Sequence, residues 1–340
     1  MKAMVLRRFG KDEPLRLQEW PEPVLGATDV LVDIHAASVN PLDFKIRAGG
    51  AIRLALPYRA PLVLGNDFAG VVAAIGAKVT RFKPGDEVYG RPSKERSGTF
   101  AERIAIPEHE LAHKPRTITL QEAAGLPLAG LTAWQALTEE LRLKPKQRIL
   151  IHAGAGGVGS LAIQLAKHLG AYVGTTASEP NHELVHSLGA DFAVDYRKFP
   201  IEKVFEDYDC VLDTIGGDTL LRSFQTLKPG GGIVASVSGL PDRSYAKRTH
   251  QNALKTLLFT LAGRRFAKAA KARQAEYRFF FMHPSGEQLQ HLAGLVDRGV
   301  LRPLVDRVYP LSEANEALAY VQTGRARGKV IVQVSSSSPQ

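Results

Sequence analysis

Arg148-Ile-Leu-Ile-His-Ala-Gly-Ala-Gly-Gly-Val-Gly-Ser160, continuing as Leu161-Ala-Ile-Gln-Leu-Ala-Lys-His-Leu-Gly170, decides the fold. It opens with an apolar run of the length and character of a buried strand. It then turns through Gly154, Gly156 and Gly159, spaced G-x-G-x-x-G, and goes on with Leu161, Leu165 and Leu169 at helical spacing. Strand, tight turn and helix in this order form the setting in which the glycine pattern signals dinucleotide binding. Gly154 permits the turn, Gly156 lets backbone approach a pyrophosphate, and Gly159 lets helix and strand pack closely. The pyrophosphate then faces N–H groups at a helix N-terminus. A nucleoside-triphosphate loop would need Gly-Lys-Ser/Thr, and here Ser160 follows Gly159 directly.

Around this stretch the chain alternates strand and helix. Strands are expected near 171–176, 192–195, 209–213 and 232–237, and a helix over 181–188, which argues for a doubly wound parallel sheet. Residues 1–125 read differently. Val30-Leu-Val-Asp-Ile-His-Ala-Ala and Gly70-Val-Val-Ala-Ala-Ile-Gly alternate in a β-like way between turns such as Lys83-Pro-Gly-Asp-Glu-Val. After a basic stretch come a helix near 285–298, a strand near 303–310, a helix near 312–322 and a last strand from Gly328. Ser335–Gln340 reads as a loose tail.

With 340 residues the chain has room for two domains. Met1-Lys-Ala-Met-Val-Leu-Arg-Arg has no signal-peptide core and reads as a strand, no apolar run could span a bilayer, and the cytoplasm is the expected location. The single cysteine, Cys210, excludes an internal disulfide and a multi-thiolate metal site, and its apolar surroundings read as core. The net charge of +10 is uneven: Pro241–His283 holds ten Lys/Arg against Asp242 and Glu276. Charge so confined gives no reason to expect nucleic-acid binding. His182-Glu-Leu-Val-His186 matches H-E-x-x-H, a zinc signature in proteases. It reads instead as the start of the helix after the second strand of the nucleotide fold, with Leu184, Val185 and Leu188 on the buried side.

The order of motifs resembles the medium-chain dehydrogenase/reductase superfamily, in its zinc-independent quinone oxidoreductase and alkenal/enone reductase group. The residues that carry it are Ser38-Val-Asn-Pro-Leu-Asp-Phe-Lys-Ile-Arg-Ala-Gly49, Gly65-Asn-Asp-Phe-Ala-Gly70, Phe82–Gly90, Gly98-Thr-Phe-Ala-Glu102, Gly130-Leu-Thr-Ala-Trp134, the glycine turn and Gly328-Lys-Val-Ile-Val332. The resemblance implies an α/β protein: a GroES-like β-rich catalytic domain (1–125 and 299–340) and a Rossmann domain (126–298) with a basic helical insertion near 243–278. Zinc-dependent relatives carry a cysteine where this chain has Asn40, and His-Glu where it has Asn66-Asp67. A catalytic zinc needs about three good ligands, so none is expected.

The same resemblance implies cofactor contacts at Thr132, Ala155, Gly157, Val158, Ile215 and Lys329, the last near the cofactor phosphates. NADPH is expected because the second strand ends Gly174-Thr-Thr-Ala-Ser178 with no carboxylate to repel a 2′-phosphate. Thr176 and Ser178 can donate to that phosphate, and Tyr196 stands where the family's phosphate-contacting tyrosine lies. Glu179-Pro180 counts against it, since relatives often carry a cation there.

Without a Lewis acid, hydride addition to the β-carbon of an α,β-unsaturated carbonyl or to a quinone is the expected reaction, with charge collecting on an oxygen that donors stabilise. By the same resemblance, and because each can donate, Asn40 and Lys45 are the expected donors; Asp43 orients its neighbours, and Tyr58 or solvent supplies a proton. Two alternatives stand beside this reading: an enoyl-thioester reductase and a cofactor-binding homologue with little turnover. A monomer or homodimer without integral membrane association is expected. In the basic segment, Leu254, Leu257, Leu258 and Leu261 form one apolar face. A solvated helix pair that covers the cleft or packs in a dimer is the preferred reading, ahead of a membrane-surface helix.

Overall fold

The computed structural model describes residues 1–50, 58–96 and 98–335; the expected tail lies outside them from residue 336 on. The chain divides into two compact units, Met1–Leu131 with His283–Gln340 and Thr132–Met282.

The second unit is built on a six-stranded parallel sheet in the order Phe192–Val194, Tyr172–Thr176, Arg148–Ile151, Cys210–Asp213, Ile233–Ser236, Glu276–Phe279. In sequence numbering that is 3-2-1-4-5-6, the doubly wound dinucleotide-binding order, and the first strand stands at the switch point where ligands bind. Val173, Leu150, Val211 and Val234 are fully buried, as strands covered on both faces require. The helix Gly157–His168 lies against the sheet through Leu161, Ile163 and Leu165.

Two features differ from the expectation. The helices Arg243–Arg248 and Ala253–Ala272 lead from Ile233–Ser236 to Glu276–Phe279, which pair in parallel, so the basic stretch is a crossover of the sheet rather than an insertion. The helix Gly286–Asp297, assigned from sequence to the nucleotide domain, belongs to the first unit. There Tyr89 Oη donates to Leu289 O at 2.6 Å. Gly286 also lies so close to the Leu111 and His109 carbonyls that a Cβ would fall 2.2 and 2.7 Å from them.

The first unit is β-rich. A seven-stranded sheet runs Val305–Pro310, Lys329–Gln333, Asp29–Val39, Phe68–Ile75, Glu87–Gly90, Leu111–His113, with Arg103–Pro107 also paired to Asp29–Val39. Lys2–Leu6 forms a smaller sheet with Arg16–Glu19 and Leu62–Val63. Two registers position the candidate site. Val330 opposes Val39, which sets Lys329 beside Asn40, and Phe68 opposes Ala37, which sets Asp67 beside Ser38. Residues 289 positions apart are thereby placed at one end of the sheet.

Candidate catalytic and cofactor-binding sites

In the first unit the long strand ends at Val39, and Asn40 leads into the helix Pro41–Ala48, where proline at the first position suits a helix start. The Asn40 N–H donates to Asp43 Oδ2 at 2.7 Å, and Asn66 Nδ2 donates to Asp43 Oδ1 at 2.6 Å. Asp43 is wholly buried, and that burial pushes its carboxyl up to about 7 against both bonds.

A second buried carboxylate lies alongside. Asp67 Oδ1 accepts from Ser38 Oγ at 2.7 Å and from Asn40 Nδ2 at 2.9 Å, and Asp67 Oδ2 accepts from Leu128 N at 3.2 Å. Lys329 Nζ donates to Asn40 Oδ1 and lies 3.9 Å from Asp67 Oδ2. With 4% of its surface exposed, Lys329 has its ammonium held below the ordinary lysine range by burial, which the two aspartates oppose.

This assembly engages every polar atom of the Asn40 side chain. Its amide also donates to Ser38 O at 3.2 Å, so both of its N–H groups have acceptors inside the network. Lys45 is different. It stands on the exposed side of the same helix, and partial desolvation lowers its pKa. Tyr58 is buried in the core with Ile46, Val63 and Leu64. Near it the Arg91 guanidinium, also buried, donates to Pro92 O at 2.7 Å.

In the second unit the glycine turn has the geometry its sequence requires. A Cβ at Gly154 would lie 2.2 Å from Thr175 Oγ1, and one at Gly159 would lie 2.2 Å from Ala153 O. At Gly156 a Cβ would lie 3.3 Å from Ala153 O, a tight contact that a bare glycine avoids. Gly156 caps the helix without a side chain, which leaves the N–H groups at Gly157 and Val158 for an anion. Ala155 is buried in the turn.

His152, fully buried behind the turn, bonds Ser223 Oγ at 2.8 Å and Thr176 Oγ1 at 3.2 Å, and burial lowers its pKa to about 4. Thr176 Oγ1 also accepts from Ala153 N at 3.1 Å, so this hydroxyl ties the second strand to the turn. Thr132 is buried on the helix Pro127–Gln135. Ile215 is exposed, its N–H donating to Asp213 Oδ1 at 3.1 Å.

At the tip of the second strand Ser178 Oγ accepts from Asn181 Nδ2 at 3.1 Å, and Tyr196 is exposed with Arg197 over its ring at 5.6 Å. Glu179, the residue that counted against a phosphate, pairs with Lys198 at 2.6 Å. Asp195, held low by the Arg197 and Glu179 N–H groups, closes this corner. Arg197 and Lys198 went unread in the sequence although they directly follow Tyr196.

The histidines of H-E-x-x-H bond separate carbonyls, His182 to Ala177 at 3.2 Å and His186 to Ala190 at 2.8 Å. Among the described residues no three His, Cys, Asp or Glu side chains form a metal-ligand group. Cys210 is buried, its thiol pushed up to about 12.

A GroES-like alcohol dehydrogenase domain profile matches residues 26–116, and a zinc-binding dehydrogenase profile matches 188–332. The mitochondrial NAD(P)H oxidoreductase RTN4IP1 of Danio rerio is 34% identical, over 98% of this chain and 91% of its own. The chloroplastic NADPH-dependent alkenal/one oxidoreductase of Arabidopsis thaliana is 36% identical over 98% and 79%. The quinone oxidoreductase of Coxiella burnetii superposes with a TM-score of 0.85 at 34% identity, covering 98% and 99% of the two chains. The chain belongs to the medium-chain dehydrogenase/reductase superfamily, among its quinone and alkenal/one oxidoreductases. It is an oxidoreductase that uses a nicotinamide cofactor. Two of these relatives are named as organellar, which lends the cytoplasmic expectation no support; among the described residues no helix is long and apolar enough to cross a membrane.

Proposed function

We propose that this oxidoreductase uses NADPH, without zinc, to reduce the conjugated double bond of α,β-unsaturated carbonyls, with quinones as further acceptors. The observation that carries the reading is the Lys329 ammonium between Asn40 and Asp67. A zinc ion there would have to share Asn40 Oδ1 and the Asp67 carboxylate with a cation already in contact with them. The remaining donors, Asn66 and Ser38, are poor zinc ligands. The donor set does not fit the metal that one family profile is named for.

NADPH supplies a hydride. The chain binds the pyrophosphate at the N–H groups of the glycine turn, and Ser178, Tyr196 and Arg197 receive the 2′-phosphate while Lys198 neutralises Glu179. When hydride reaches the β-carbon, charge moves to the carbonyl oxygen, where Lys45 donates; solvent returns a proton to the α-carbon. The Asn40 amide is committed to its neighbours, so Asn40 and Asp43 act by fixing the start of the helix that carries Lys45.

Titration with NADPH and NADH, followed by single turnover with a small enone, a quinone and a crotonyl thioester, tests the proposal. NADPH should bind at least about tenfold tighter and be oxidised by the enone, with a chelator making no difference. Lys45→Met should slow the enone reaction about 100-fold with NADPH affinity unchanged. Oxidation by the thioester alone would make the chain an enoyl-thioester reductase; CurK, named an enoyl reductase, superposes with a TM-score of 0.82 at 25% identity. Binding without turnover of any acceptor would refute the catalytic reading.

A further inference from the structure

The helix Ala253–Ala272 turns its expected apolar face away from the protein. Leu254, Leu257, Leu258 and Leu261 are 67%, 57%, 52% and 60% exposed. Their spacing puts them on one stripe over two turns. The opposite face fixes this orientation. A Cβ at Gly263 would fall 2.7 Å from Pro241 O and Asp242 Cβ, so only glycine lets the helix lie this close. Phe266 is fully buried with its ring 5.5 Å from that of Tyr277, Ala270 is buried beside it, and Phe259 meets Tyr245 at 5.9 Å. The helix cannot roll its leucines inward without losing these contacts.

The next turns of the outward face are basic. Arg265 and Lys268 continue the leucine stripe at helical spacing, Arg264 and Lys271 flank it, and all four are exposed. From Arg243 to Ala275 the chain contains no acidic residue. Of these four cations and Lys255, only Arg265 comes within 4.0 Å of a carboxylate among the described residues, that of the exposed Asp218. A single outward face thus carries four leucines on its first turns and a cluster of cations on the rest.

We propose that this face docks the protein on an anionic lipid surface, with the leucines entering the headgroup boundary and Arg264, Arg265, Lys268 and Lys271 gripping phosphates. Charge decides the occupant. A second copy of the chain would cover the leucines but leave each basic half facing solvent or its own kind. An anionic bilayer satisfies both halves together. The helix lies on such a surface and does not cross it, since no described helix is long and apolar enough to span.

Flotation of the full chain with phosphatidylcholine vesicles, with or without about one third phosphatidylglycerol, tests this. The protein should float only with the anionic vesicles, and added salt should release it. Leu254→Asn, Leu257→Asn, Leu258→Asn and Leu261→Asn together should lower the bound fraction about tenfold, and so should Arg264→Gln, Lys268→Gln and Lys271→Gln together. Both variants change outward side chains only, and NADPH oxidation in solution should be unaltered. Equal binding to neutral vesicles, no binding, or binding that survives the asparagine changes would overturn the proposal. So would an asparagine variant whose sedimentation mass falls while its vesicle binding persists, since the leucines would then join copies of the chain.

Discussion

Replacing Lys329 by methionine separates the two roles its position permits, holding cofactor phosphates or holding the buried network. Methionine keeps the length of the side chain and removes the ammonium that Asn40 Oδ1 and Asp67 face. Taking one partner from a buried ion pair costs about 3–5 kcal/mol. Asp67 keeps donors in Ser38, Asn40 and Leu128, so the loss falls at the low end, about 3 kcal/mol. Lys329 belongs to a unit of about 190 residues, for which the unfolding entropy is about 0.4 kcal/mol/K, so Tm should drop by about 7 °C. Enone turnover should fall as well, because the helix carrying Lys45 starts at Asn40. The assays are calorimetric unfolding of the free protein and fluorescence titration with NADPH. An unchanged Tm with NADPH affinity lowered tenfold or more would refute the network role and assign Lys329 to the cofactor phosphates.

Lys198→Ala should take from the Glu179 carboxylate its cationic partner at the tip of the second strand, weakening NADPH about threefold to tenfold while leaving NADH nearly unchanged, as paired titrations would read. Gly159→Ala puts a methyl group 2.2 Å from Ala153 O, so calorimetry should find about 1–3 kcal/mol of stability lost and titration little dinucleotide binding. His152 titrates near 6.5 when unfolded but near 4 in its buried site, so the unfolded chain binds the extra proton. Stability should be lost as pH falls from 6.5 to 4, by about 3 kcal/mol, and His152→Gln should flatten that slope in unfolding curves. Asp43 acts in the opposite sense. Its folded pKa of about 7 lies above the ordinary 3.8, so it withdraws stability as pH rises between them, and Asp43→Asn should remove that dependence from the first unit's transition.

What the sequence disclosed depended on whether the physics was local. The glycine turn occupies one contiguous stretch, and each glycine answers a contact set within that stretch or by the neighbouring strand, so its spacing could be read. The network at Asn40 is not local. Lys329 reaches it because Val330 pairs with Val39 across the sheet, and strand register is written in no single segment. Resemblance alone therefore points Lys329 to the cofactor phosphates, and nothing in its own stretch of sequence links it to Asn40. The leucine helix exposes a different gap. Its periodicity marks a stripe but gives no sign of which way the stripe faces. The inward face is chosen by Gly263, Phe266 and Ala270, two of them too small to weigh in a hydrophobic pattern. Close approach to Pro241 and Asp242 draws that side in. A glycine placed for backbone contact outranks four leucines in orienting the helix, and it is this inversion that leaves an apolar and cationic surface outside.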